Sequence, residues 1–110
     1  MEINELKTDQ CMIVGITGRL DTTNYSMLEK KLMDLIDNQH DKILVECSNM
    51  DYISSSGLRI LLMGLKKITA MKGKFVLCGL QENIHEIFEI SGFTSIFEIH
   101  SSREDALKVF

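Results

Sequence analysis

Residues 51 to 65 read DYISSSGLRILLMGL, and the fold turns on how Ser54-Ser55-Ser56-Gly57 opens the apolar run behind it. Serine is favoured just before a helix because its hydroxyl accepts a hydrogen bond from an otherwise unpaired first-turn N–H. One serine fills that role. Three in a row leave hydroxyls to spare at a helix N-terminus, where the dipole favours added negative charge and free N–H groups suit a phosphate. Downstream, Leu58, Leu61, Leu62, Leu65 and Ile68 recur at steps of three and four, which predicts a helix. Ile60, Met63 and Gly64 widen its apolar stripe; Arg59, Lys66 and Lys67 fall on the other face. The helix is expected to end near Lys72 and Gly73, with glycine as the left-handed cap.

Working outward, KILVEC (Lys42–Cys47) and KFVLCG (Lys74–Gly79) are short branched-apolar runs of the kind that form strands buried on both faces. Ser48–Ile53 is expected to be the loop joining the first of them to the serines, with Tyr52 and Ile53 buried beneath it. MIVGIT (Met12–Thr17) alternates as a strand, with Met12, Val14 and Ile16 on one face. Gly18-Arg19-Leu20-Asp21 then leaves the sheet. Ile3–Leu6 is a short edge strand. Thr22 or Thr23 is expected to cap a helix to Asn38 whose stripe is Tyr25, Leu28, Leu32, Leu35 and Ile36. A helix over Gln81–Ser91 turns Ile84, Ile87, Phe88 and Ile90 inward, and Gly92 ends it. Ser95–Ile99 is the last strand, and Ser101-x-x-Glu104 has capping-box spacing for a terminal helix.

The predicted order is β-β-α-β-α-β-α-β-α, a mixed but mainly parallel sheet of four to five strands with about four helices. The 110 residues suit one domain, 1–110, able to bury roughly 60 to 70% of its unfolded surface. Binding surfaces of such sheets lie beyond the strand C-termini.

Composition excludes several functions. With 45% apolar and 25% charged residues the chain is an ordinary globular one. Sixteen acidic against 12 basic residues give a net charge of −4 with no basic run, so direct nucleic-acid binding is not expected. No apolar run approaches the ~18 residues of a membrane span, and MEINELKTDQ is no signal peptide; a cytoplasmic protein with no membrane partner is expected. Cys11, Cys47 and Cys78 are separate and set in apolar stretches, as reduced core thiols are. There is no CxxC pair, no His/Cys cluster and no phosphate-binding glycine loop, so neither a metal nor another cofactor is expected. The serines lack the GxSxG elbow, because Ile53 stands where the first glycine belongs. His40, His85 and His100 are scattered. The chain is read as a non-enzyme.

Taken together, Gly18-Arg19-Leu20-Asp21, ILVECSNMDYISSSGLRILL, KFVLCGL and IFEISGFTSIFEI, in this order and spacing, resemble the anti-sigma factor antagonists, single-domain members of the STAS fold. The resemblance covers essentially the whole chain. It implies a phosphorylation-switched binding module that sequesters an anti-sigma factor, a serine kinase of the GHKL ATPase type, and so regulates sigma-factor-dependent transcription; a serine phosphatase is the second implied partner. The family's phosphoacceptor position falls on Ser55. Ser54 stands where the best-known members carry Asp, which makes Ser54 and Ser56 alternative acceptors. Asp21, Thr22, Ser54, Ser56, Gly57 and Arg59 are the expected partner-facing residues. The competing reading is a STAS module that is not phosphorylated and instead binds a nucleotide or serves as a scaffold subunit.

Overall fold

The computed structural model describes all 110 residues. Five strands form one sheet in the order β1 (Glu2–Lys7), β2 (Met12–Leu20), β3 (Lys42–Ile53), β4 (Lys74–Cys78) and β5 (Glu98–His100). β1 pairs antiparallel with β2, and every other neighbour is parallel. The helices are α1 (Tyr25–Asp37), α2 (Ser55–Ala70), α3 (Glu82–Ile90) and α4 (Arg103–Leu107), with a 3₁₀ turn over Phe93–Ser95.

Strand order equals chain order from β2 to β5. Successive right-handed crossovers advancing in one direction must place their helices on one face of the sheet. The core follows suit. Met12, Val14, Ile16, Ile43, Val45, Phe75 and Leu77 turn to α1, α2 and α3, in a cluster of 22 buried residues. Their neighbours Ile13, Leu44, Val76 and Cys78 turn the other way, where Ala106 of α4 and the terminal Leu107, Val109 and Phe110 cover them. No helix is long and apolar enough to cross a membrane.

Several elements differ from the sequence expectation. β2 does not leave the sheet at Gly18, and β3 does not become a loop at Ser48; both continue, to Leu20 and Ile53. Over this extension β2 advances from Gly15 to Leu20 while β3 advances from Glu46 to Ile53, with shifts of register after Gly15 and after Gly18. β3 therefore carries an extra residue at two places, as a bulged strand does. Burial then recurs at Cys47, Met50 and Ile53, every third residue, with Tyr52 on the surface.

Helix ends also move. α1 begins after Asn24 rather than at a threonine cap, because the Thr23 N–H and hydroxyl both donate to Asp21 Oδ1, at 2.9 and 2.6 Å. α4 is capped by Ser102, whose Oγ accepts from Asp105 N–H at 3.1 Å, one residue beyond the predicted box. After α2 it is Lys72, not Gly73, that takes the left-handed conformation, with φ 61°. Gly73 is needed for room, since a β-carbon there would run into the Asp41 carbonyl. The last strand starts at Glu98, because Phe93–Ser95 first makes a 3₁₀ turn. Ile90 is exposed; it lies about 120° round the helix from Ile84, off the buried stripe.

Candidate functional site

β2 and β3 run parallel, so the segments leaving their C-terminal ends meet at one edge of the sheet. Leu20 pairs with Ile53, and Ser54 N–H then donates to the Leu20 carbonyl at 2.9 Å. The chain turns there into α2. Leu20, Ile53 and Gly57 form the buried floor of the corner. A β-carbon on Gly57 would come within 2.7 Å of Leu20 Cγ and 2.9 Å of Ile53 Cγ1. Only a hydrogen fits, so the first turn of α2 lies directly on the paired strand ends.

The three serines have different surroundings. Ser54 is the N-cap, with its Oγ accepting from Gly57 N–H at 3.2 Å. Ser55 is the first helical residue and is exposed; Ser56 is half-buried. The α2 stripe that packs on the core is Gly57, Leu61, Gly64 and Ile68, flanked by Leu58 and Ile60. Ser55 and Arg59 stand off that stripe, one turn apart and both exposed.

The other half of the site is the β2–α1 loop. Asp21 follows Leu20 directly, so it adjoins the Ser54 corner, and Thr22 is exposed at the loop tip. Asn24 closes this loop: its Oδ1 accepts from Asp21 N–H at 2.9 Å, and its Nδ2 donates to the Arg19 carbonyl at 2.8 Å. The Arg19 guanidinium lies 4.0 Å from the centre of the Tyr52 ring and 3.5 Å from Asp21 Oδ2. Hydrogen bonds from the Thr23 hydroxyl and N–H, with help from Arg19, hold the Asp21 carboxyl below its usual range. Asp21 is thus a fixed negative charge at neutral pH.

The structure therefore brings Asp21 and Thr22 to the same edge as Ser54, Ser55, Ser56, Gly57 and Arg59. Sequence reasoning missed Arg19, Asn24 and Tyr52. An asparagine just before a helical stripe was a usable signal for Asn24; nothing in a polar strand extension announced the Arg19–Tyr52 stack. The histidines lie elsewhere: His85 pairs with Glu89 at 2.9 Å, His100 with Glu98 at 2.7 Å, and His40 follows α1.

A second polar cluster lies farther back on β3. Glu46 accepts from the Ser48 hydroxyl, from Cys78 Sγ at 3.2 Å and from Arg103 Nε at 3.4 Å, tying β3, β4 and α4 together. Burial pushes the Glu46 carboxyl up, but these bonds outweigh it and hold it below the usual range. The Cys78 thiol is pushed up to about 12 by burial and by its bond to Glu46. It is a protonated donor, not a reactive thiolate.

Comparison with known proteins accords with this geometry. The family model of the STAS domain matches residues 2–106. BtrV of Bordetella bronchiseptica, provisionally named an anti-sigma factor antagonist, is 36% identical over 110 residues, spanning 100% of this chain and 95% of its own. A Thermotoga maritima crystal structure, likewise provisionally named, superposes with TM-score 0.92 at 20% identity, over 96% of this chain and 92% of the other. The phosphorylated form of the Bacillus cell fate determinant SpoIIAA superposes with TM-score 0.77 at 17% identity, over 97% of each chain. The fold, the family model and a relative matched end to end agree: the chain belongs to the STAS domain family, among its anti-sigma factor antagonists.

Proposed function

We propose that residues 1–110 act as one STAS domain that binds an anti-sigma factor, a serine kinase of the GHKL ATPase type, and releases it when Ser55 is phosphorylated. A serine phosphatase returns the domain to its binding form. The observation that carries this reading is the division of labour among the serines. Ser54 spends its hydroxyl on the cap and Ser56 is half-buried, so Ser55 is the one exposed hydroxyl in the first turn. Relatives named as antagonists, and a phosphorylated protein of the same fold, support it.

The physics of such a switch is local. A phosphate on Ser55 adds about −1.5 to −2 charges at neutral pH. The N-terminus of α2 tolerates that charge and favours it by ~0.3 to 1 kcal/mol. The domain has no reason to refold. At a close-packed interface the same group brings bulk and a desolvation cost, and a coupling of ~3 kcal/mol weakens binding about 150-fold. The fixed negative charge of Asp21 on the neighbouring loop adds to the repulsion of an acidic partner group.

A pull-down from the native cytoplasm with wild type, Ser55→Ala and Ser55→Asp as baits, with mass spectrometry of prey and of bait phosphorylation, tests this. The expected result is a GHKL-type kinase on wild type and Ser55→Ala, none on Ser55→Asp, and phosphate mapped to Ser55. Retention of the kinase by a folded Ser55→Asp protein refutes the switch.

A further inference from the structure

α2 carries more than the serine. Its sixteen residues include Arg59, Lys66 and Lys67 and no acid, so all 16 acidic residues of this net-negative chain lie outside it. Each of these three cations is exposed, and none belongs to any of the ion pairs, which engage instead Arg19, Lys30, Lys31, Lys74, Arg103 and Lys108. They rim a shallow groove of about 340 Å³ whose floor is the half-buried Leu62 and Met63. The helical phase decides where the groove points. Ser55, Arg59, Leu62 and Lys66 follow one another at steps of four, three and four, so they share one face. That face is set away from the buried Gly57, Leu61, Gly64 and Ile68.

We infer that this face of α2, from Ser55 to Lys67, is a docking groove for an acidic amphipathic segment of the anti-sigma factor. The inference rests on the proposed function and adds the chemistry of the partner. Leu62 and Met63 receive apolar side chains, and Met suits a surface that must adapt to its occupant. The three unpaired cations face carboxylates along the rim. Charge complementarity of this kind sets specificity and on-rate more than raw affinity. Ser55 lies one turn before Arg59 on the same helix face, at the N-terminal side of the groove. A phosphate there lies four residues from Arg59, within reach of an intrahelical pair. Phosphorylation then places negative charge where an acidic segment enters and withdraws one of the three cations that attract it.

The test uses the kinase retained by Ser55→Ala, purified, and titrated without ATP against three proteins in the Ser55→Ala background. These are the unaltered chain, Lys66→Glu/Lys67→Glu, and the control Lys30→Glu/Lys108→Glu, which makes the same change in net charge at exposed sites on other elements. The groove reading expects Lys66→Glu/Lys67→Glu to weaken binding about tenfold or more, and to flatten its salt dependence, while the control stays within about twofold. Lys66→Gln/Lys67→Gln should fall between. Equal affinities for the two double variants, with circular dichroism showing both folded, overturn the groove while leaving the Ser55 switch standing. Absence of any kinase on Ser55→Ala removes the function itself and the groove with it. A dimer of this chain in sedimentation that Lys66→Glu/Lys67→Glu dissolves also overturns it, because the groove then belongs to a second copy.

Discussion

Replacing Gly57 by alanine sets two opposed effects against each other at the centre of the site. Gly57 lies in the first turn of α2 with ordinary helical backbone, so alanine gains up to ~1 kcal/mol of helix propensity, and less so close to the N-terminus. Against this, the new methyl meets Leu20 Cγ at 2.7 Å, Leu20 Cδ2 at 2.9 Å and Ile53 Cγ1 at 2.9 Å. Neither partner has room to give way, since Leu20 is fully buried and Ile53 nearly so. Overpacking of a closed site costs ~1 to 3 kcal/mol. The clash wins by about 1 to 2 kcal/mol, a fall in Tm of about 4 to 10 °C for a chain of this size. The relief available is a lift of the α2 N-terminus off the Leu20–Ile53 pair, and that movement carries Ser55 away from Asp21 and Thr22. Under the proposed function, affinity for the anti-sigma factor should therefore drop more than stability alone explains. Thermal unfolding followed by circular dichroism, with titration of the purified kinase well below Tm, separates the two effects. A Gly57→Ala protein as stable as wild type, with unchanged affinity, would refute the close seating of helix on strand ends.

Three further changes probe neighbouring elements. Ser54→Ala removes the cap on Gly57 N–H and should cost ~1 kcal/mol by denaturant titration, whereas Ser54→Gly should cost only a few tenths. Lys72→Gly relieves a side chain held at φ 61° and should raise stability by ~0.5 to 1 kcal/mol; a lower Tm would contradict that conformation. The Glu46 carboxyl has a lower pKa folded than unfolded, so its contribution is complete above the ordinary carboxylate value and lost as pH falls through the lowered one. Glu46→Gln should accordingly be less stable at neutral pH and show a shallower loss of Tm in acid than wild type; parallel acid limbs would contradict the assignment.

What the sequence disclosed and what it hid divide along a physical line. Met12–Ile16, Ile43–Val45 and Phe75–Leu77 were legible because a strand covered on both faces must be apolar almost throughout, and α2 because its apolar positions recur at helical steps. SNMDY was not legible as strand. Two bulges break the period of two in β3, and the chain reads as polar loop while its backbone stays in the ladder. The caps were misplaced by one to two residues for a related reason. Thr22, Thr23, Ser101 and Ser102 are all competent caps by type, and the choice is made by a tertiary detail such as Asp21 engaging Thr23. The left-handed residue after α2 went to Lys72 because Gly73 is required for its lack of a side chain against Asp41, a contact from a distant loop.

The same bulges that hid the strand extension also build the site. Without the two added residues, β3 would run level with β2 beyond Gly15, and Ile53 would not fall opposite Leu20. The offset brings Tyr52 under Arg19 and aligns Ser54 N–H with the Leu20 carbonyl, so the serine turn is bonded to the strand that supplies Asp21. Ser55 thus stands on a corner pinned by backbone hydrogen bonding, a side-chain cap and a glycine that excludes slack. A rigid corner matters for a switch that acts by bulk and charge. In the proposed switch, a phosphate on a yielding loop would move aside with its backbone and the partner would keep its grip; here the backbone that carries Ser55 is held in place, so the added group would have to be met at the interface.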